Sequence, residues 1–100
     1  MSRVHSYQVT LAPLVVAGRA DGEAPPALVF IHHNHDDLVQ IVERVRRASG
    51  LDADSAAATA LGLKLLAGVM LSERDNPLFD VLRQPLGEFI QTLKALSKTG

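Results

Sequence analysis

The most constraining feature of this 100-residue chain is an apolar segment from Ala56 to Leu71, in which only Thr59 and Lys64 carry polar side chains. The pattern predicts a helix that opens at about Leu51 and continues to about Arg74. A helix that is apolar around most of its circumference is expected to be buried on several sides. The apolar run is shorter than the roughly 20 residues that cross a bilayer, and Lys64 lies near its middle, so we expect no membrane span.

Two arrangements would bury this helix. Either it is the central helix of the domain, or one of its faces packs against another copy of the protein. Ala56, Ala60 and Ala67 fall on one side, where small side chains let a second helix approach closely. The sequence leaves both arrangements open.

The N-terminal part of the chain has the pattern of a β-strand. Tyr7, Val9 and Leu11 alternate with polar residues, which places the apolar side chains on one face of a half-buried strand. Because Pro13 has no N–H to donate to a sheet, we expect the strand to end near it or to run along a sheet edge.

A second strand is predicted over Ala27–Ile31, a short apolar run rich in β-branched and aromatic residues. The segment Ala17–Pro26 between the strands carries Gly, Asp, Glu and Pro and is predicted to be a mobile loop. The strands are expected to pair as an antiparallel hairpin. The second strand is apolar on both faces and an isolated hairpin is marginally stable, so we expect other elements or a second copy to cover it.

A first helix is predicted to follow the second strand, with Asn34 as its cap and with Asp36 and Asp37 in its first turn. Basic residues close the helix and Gly50 stands at its C-terminal end. The apolar positions with helical spacing are Leu38, Ile41, Val42 and Val45.

The C-terminal third is predicted to be helical. Asn76-Pro77 is typical of a helix start. Pro85 is expected to break the chain into a short helix that ends at about Leu82 and a fourth helix after it. The predicted fold class is therefore α+β, a two-stranded antiparallel hairpin followed by three or four packed helices, in a single domain over residues 1–100.

Composition narrows the possible partners. Ten Lys and Arg residues against 11 Asp and Glu residues give a net charge of −1, so we expect no nucleic-acid partner. The chain has no cysteine, which excludes disulfides and thiolate chemistry. The N-terminal residues lack the apolar stretch of a secretory signal, and we expect a cytoplasmic protein.

The strongest chemical candidate is the run from His32 to Asp37, which contains three histidines and two aspartates. If the strand continued, His33 and His35 would point the same way and could bind a metal, with Asp36 or Asp37 as a third ligand. The alternative is a solvated polar strand exit beside a capped helix, which we favour. Partly exposed histidines there could also respond to pH.

Other signatures of function are weak. No serine lies in a nucleophile-elbow setting, no glycine-rich phosphate loop follows a strand, and no cofactor is predicted. Arg44, Arg46 and Arg47 form a small basic patch, yet Glu43 stands four residues before Arg47 and can pair with it. A solvated helix face is the favoured interpretation.

Four stretches of the sequence carry a resemblance to a known family. They are His35-Asp36-Asp37 with Ile41-Val42-Glu43-Arg44-Val45, Ala60-Leu61-Gly62-Leu63-Lys64-Leu65, Asn76-Pro77-Leu78-Phe79, and Gly87-Glu88-Phe89. Through them the chain resembles a bacterial family of small cytosolic domains of unknown function, for which no activity is assigned. The resemblance implies a fold and a compartment and adds no functional residue.

The function hypotheses therefore follow from elimination. The first is a small non-enzymatic module that binds itself, as a homodimer, or another protein. The second is a small metal- or ligand-binding protein that uses His33, His35 and Asp37.

Overall fold

The computed structural model describes residues 4–14 and 26–99. The elements in chain order are β1 (His5–Leu11), β2 (Leu28–Asn34), α1 (Leu38–Ala48), α2 (Ala53–Ser72), a short 3-10 helix (Pro77–Phe79) and α3 (Asp80–Thr99). The predicted α+β class, with a strand pair followed by helices, is confirmed.

The two strands pair antiparallel, as predicted. In this register Tyr7 lies opposite His32, Val9 opposite Phe30, and Leu11 opposite Leu28. Strand β1 ends two residues before Pro13. Most of the predicted Ala17–Pro26 loop, residues 17–25, lies outside the described residues, so its mobility stays a prediction.

The hydrophobic core lies between α1 and α2. Val42 and Val45 of α1 pack on Ala56 and Ala60 of α2, and Leu93 of α3 packs against this cluster. Ala56 and Ala60 are fully buried, and their small side chains let the two helices approach closely. The small-residue side of the apolar segment thus serves the core of one chain.

The start of α1 differs from the prediction. Asp37, and not Asn34, is the N-cap residue: its Oδ1 accepts hydrogen bonds from the backbone N–H groups of Val39 and Gln40 at 3.1 and 3.3 Å. Asn34 is the last residue of β2 and is buried, so its side chain serves other partners. Gly50 follows the helix with a φ of 76°, a left-handed conformation that favours glycine.

The predicted break at Pro85 is also wrong, because α3 is continuous from Asp80 to Thr99. Pro85 removes one helical hydrogen bond, to the carbonyl of Val81 in the first turn. Val81 is exposed, so water can satisfy that carbonyl. The helix start at Asn76-Pro77 is confirmed as the cap and first residue of the 3-10 helix.

Helix α2 is less buried than its composition predicts. Its core side faces α1, whereas Leu61, Leu66 and Val69 on other sides are exposed. The expectation of burial on several sides is wrong for a single chain, because few described residues lie near those sides.

The strand pair meets α2 at Gly68. A β-carbon added at this position would lie 3.0 Å from His32 Cε1 and 3.1 Å from Asn34 Nδ2. The absence of a β-carbon lets the backbone of α2 come this close, because an added methyl group would require the two side chains to shift by a few tenths of an ångström. We call the group formed by His32, Asn34, Lys64 and Gly68 the strand–helix joint.

Replacing Gly68 with Ala is predicted to lower the free energy of unfolding by about 1 to 2 kcal/mol, because the added methyl group overpacks the joint. Gly87 in α3 is the matched control, since nothing lies within 4 Å of a β-carbon there. Gly87→Ala is expected to raise stability by roughly 0.5 to 1 kcal/mol through helix propensity. Urea denaturation of the two variants measures both effects, and equal stabilisation by both would contradict the close approach at Gly68.

Candidate functional site

The end of β2 alternates between buried and exposed polar residues. His32 and Asn34 are each only 9% exposed, whereas His33 and His35 are exposed. The predicted solvated strand exit is therefore correct for two of the three histidines and wrong for His32. The period of two along a strand separates them, since neighbouring side chains point to opposite faces.

Asn34 is the most connected side chain of the joint. Its Oδ1 accepts a hydrogen bond from the backbone N–H of Asp36 at 3.0 Å. Its Nδ2 donates to the backbone carbonyl of Lys64 at 3.3 Å and lies 3.2 Å from His32 Nε2. Asn34 thereby ties the end of β2 both to the turn that follows and to the middle of α2.

Tyr7 and Lys64 hold the same turn from two sides. The Tyr7 hydroxyl accepts a hydrogen bond from the backbone N–H of Leu38 at 3.0 Å and donates to the carbonyl of Asp36 at 3.3 Å. The Lys64 ammonium forms a salt bridge with the Asp36 carboxylate. That contact holds the pKa of Asp36 below its ordinary value, and the positive charge of Lys94 contributes in the same direction.

The three residues of the metal hypothesis have separate roles in the fold. His33 Nδ1 lies 2.9 Å from the Ser6 hydroxyl on the exposed face of the strand pair. Asp37 caps α1, and His35 lies in the turn before it. Among residues 4–14 and 26–99, no three His, Asp or Glu side chains are grouped to hold a metal ion.

The largest feature that sequence reasoning underestimated is an exposed apolar surface on the strand pair. Val9, Leu11, Leu28 and Phe30 lie on the same face as His32, and we call them the apolar strand face. The joint covers only the His32 end of this face, so that Leu11, Leu28 and Phe30 are 64%, 57% and 41% exposed. The opposite face mixes Val29 and Ile31 with polar residues of β1.

Helix α2 meets, by length and composition, the requirements for a membrane span. Core helices of soluble proteins meet them as well, so one such helix is weak evidence. The helix is longer than its apolar run, and Lys64 near its middle is paired with Asp36. The expectation of no membrane span stays a prediction.

Comparison with known proteins gives the chain a family. The family model described as a domain of unknown function with a solved structure, DUF3861, matches residues 5–95. The chain belongs to the DUF3861 family. This confirms the resemblance to a family without an assigned activity.

A solved structure supports the same fold. The protein of unknown function from Pectobacterium atrosepticum is 29% identical to this DUF3861 chain and superimposes with a TM-score of 0.74. The match covers 95% of this chain and 99% of that one. A comparison with curated proteins finds no match.

Replacing His33 and His35 together with Ala is predicted to change the free energy of unfolding by less than about 1 kcal/mol, because both side chains are exposed. Asn34→Ala is the contrasting variant and is expected to cost about 1 to 3 kcal/mol, since it removes the hydrogen bonds of a buried side chain to the N–H of Asp36 and the carbonyl of Lys64. Chemical denaturation gives both values. A large loss in the double variant, or metal bound in stoichiometric amount to untagged protein, would favour the metal hypothesis instead.

The Asp36–Lys64 contact is predicted to make stability depend on acid pH. Because the folded-state pKa of Asp36 lies below its unfolded value, its contribution is present above about pH 4 and is lost as the pH falls through the folded pKa. Asp36 is half exposed, so we expect less than about 1 kcal/mol. Thermal denaturation of the wild type and Asp36→Asn from neutral to acid pH tests this, and a stability difference that grows with acidity would contradict it.

Proposed function

We propose that this protein is a non-enzymatic self-associating module that forms a homodimer through the apolar strand face. The observation that carries the proposal is the exposure of Leu11, Leu28 and Phe30 on a face that the helices of the same chain cover only at one end. Fully burying an exposed side chain of this kind is worth roughly 1.5 to 3 kcal/mol, and these three, which are about half exposed, would each contribute about half of that. A second copy of the chain, which offers the same face, can recover that free energy.

The strand pair gives a second reason. A two-stranded sheet is marginally stable alone, and three or more strands or a packed helix are needed for independent stability. Among the described residues, α2 approaches the strands closely at the joint, around Gly68, and leaves Leu11 and Leu28 at the other end exposed. Packing of two apolar strand faces on each other would supply the missing layer.

The same surface would also serve a different protein, which is the other form of the interaction hypothesis. Self-association is the simpler form, because a second copy of the chain offers an apolar face of the same kind. A metal- or ligand-binding role for His33, His35 and Asp37 has less support, because Asp37 is engaged as a helix cap.

Sedimentation equilibrium at micromolar concentration is expected to give twice the chain mass of 10.7 kDa. Leu28→Lys is expected to give the monomer mass, because it places a charge on the apolar strand face. Val29→Lys is the matched control: the same change one residue along the strand points to the opposite face and leaves the dimer intact. A wild-type monomer would sink the proposal, and a dimer broken by Val29→Lys alone would place the interface on the other face.

A further inference from the structure

A pocket of about 420 Å³ lies between the three helices and includes no strand residue among the residues that line it. Its apolar wall comes from α1, α2 and α3, and its rim carries the cations of the same helices. The apolar members are Ile41, Val45, Leu63, Ile90 and Leu93, and the cationic members are Arg44, Arg47, Lys64 and Lys94. Its volume falls within the range typical of small-molecule sites.

The charge of this pocket is one-sided. Within the part of the chain that the structure describes, no carboxylate lies within ion-pair distance of Arg44, Arg47 or Lys94, and only Lys64 has a salt-bridge partner, Asp36. No acidic residue lines the pocket. Lys64 is neutralised by Asp36, and the three remaining positive charges beside the apolar cavity, on Arg44, Arg47 and Lys94, are complementary to an anion with an apolar part.

Arg46, which lies between Arg44 and Arg47 on α1 but outside the pocket, is paired with a carboxylate. Arg46 pairs with Glu43 at 3.0 Å and donates to the carbonyl of Ala53 at 3.2 Å. The predicted pairing of Glu43 with Arg47 is therefore replaced by a pairing with Arg46. Arg47 lines the pocket with its charge available to a ligand.

The chemistry of the rim limits the head group of the ligand. Guanidinium groups bind carboxylate and phosphate oxygens through paired N–H donors, and ammonium groups bind them as point charges. The wall offers aliphatic side chains and no aromatic ring, which suits an alkyl chain. Val45 and Leu63 form the buried part of the wall.

We propose that the pocket binds a small amphipathic anion, a carboxylate or phosphate monoester with a short alkyl chain. The anionic head lies at the rim near Arg44 and Arg47, and the alkyl chain occupies the cavity between the helices. Neither the strand face nor the dimer is needed for this site.

The test is a calorimetric titration of the full chain with hexanoate, octanoate and octyl phosphate. The Kd is expected to fall about fourfold for each methylene added, which corresponds to about 0.8 kcal/mol per buried CH₂. A difference in affinity between octanoate and octyl phosphate identifies the preferred head group. Octylamine has the same chain with the opposite charge and is expected not to bind.

Two variants separate the pocket charges from general charge effects. Arg44→Gln with Arg47→Gln is expected to weaken octanoate binding by roughly two- to fivefold for each charge removed, and high salt is expected to weaken it further. Arg74→Gln removes one positive charge on an exposed turn outside the pocket, as each of the two substitutions does inside it, and is expected to leave binding unchanged.

Three results would overturn the proposal: no saturable binding of any of the anions, equal binding of octylamine and octanoate, or equal affinity of the double variant and the Arg74→Gln control. Repeating the octanoate titration on Leu28→Lys keeps this proposal distinct from the dimer. Binding is expected to be retained there, whatever the mass of that variant proves to be.

Discussion

The structure depends on the close approach of α2 to the end of β2 at Gly68. At this point Asn34 donates to the carbonyl of Lys64 and accepts from the N–H of Asp36, while its amide also contacts His32. Buried polar groups are costly unless their hydrogen bonds are made, so this contact has little tolerance for displacement. The absence of a side chain at Gly68 makes the approach possible, and the joint then fixes where the strands stand relative to the helices.

The position of this attachment at one end of the strands explains the exposure of the other end. The joint lies at the Asn34 end of β2, and the apolar residues at the Leu28 end extend beyond it. The helices pack on each other through the core between α1 and α2. The cationic pocket lies between these two helices and α3. The exposed surface of the described residues therefore includes an extended apolar face on the strands and a concave, positively charged pocket between the helices.

The fold class could be predicted from the periodicity of apolar residues and from the capping, proline and glycine residues that mark the ends of helices and strands. The alternation at Tyr7, Val9 and Leu11 and the helical spacing after Asp37 are local signals, and local signals survive in the structure. The break predicted at Pro85 failed for a local reason, because this proline lies near the helix start, where only the exposed carbonyl of Val81 loses its partner. The predicted cap at Asn34 failed because a contact distant in sequence decided the outcome. Asn34 looks like a cap in isolation, and its choice of Lys64 as a partner depends on how α2 crosses the strands.

The candidate site was harder to predict for the same reason. Nothing local distinguishes Gly68 from Gly62, although a β-carbon at Gly62 would meet nothing within 4 Å. The basic patch on α1 was visible in the sequence, but the division between a paired Arg46 and pocket-lining Arg44 and Arg47 requires the position of α3. Exposure of the apolar strand face is likewise a property of how few elements reach it.

The alternation of β2 also limits how sequences with this fold can vary in length. An insertion or deletion of one residue between Phe30 and Asn34 would reverse the facing of every side chain on one side of it. Ile31 or His33 would then face α2 in place of His32. The contact of His32 with Asn34 and Gly68 would be lost. Length changes in this strand are therefore excluded, while substitutions at the exposed position of His33 leave the attachment intact.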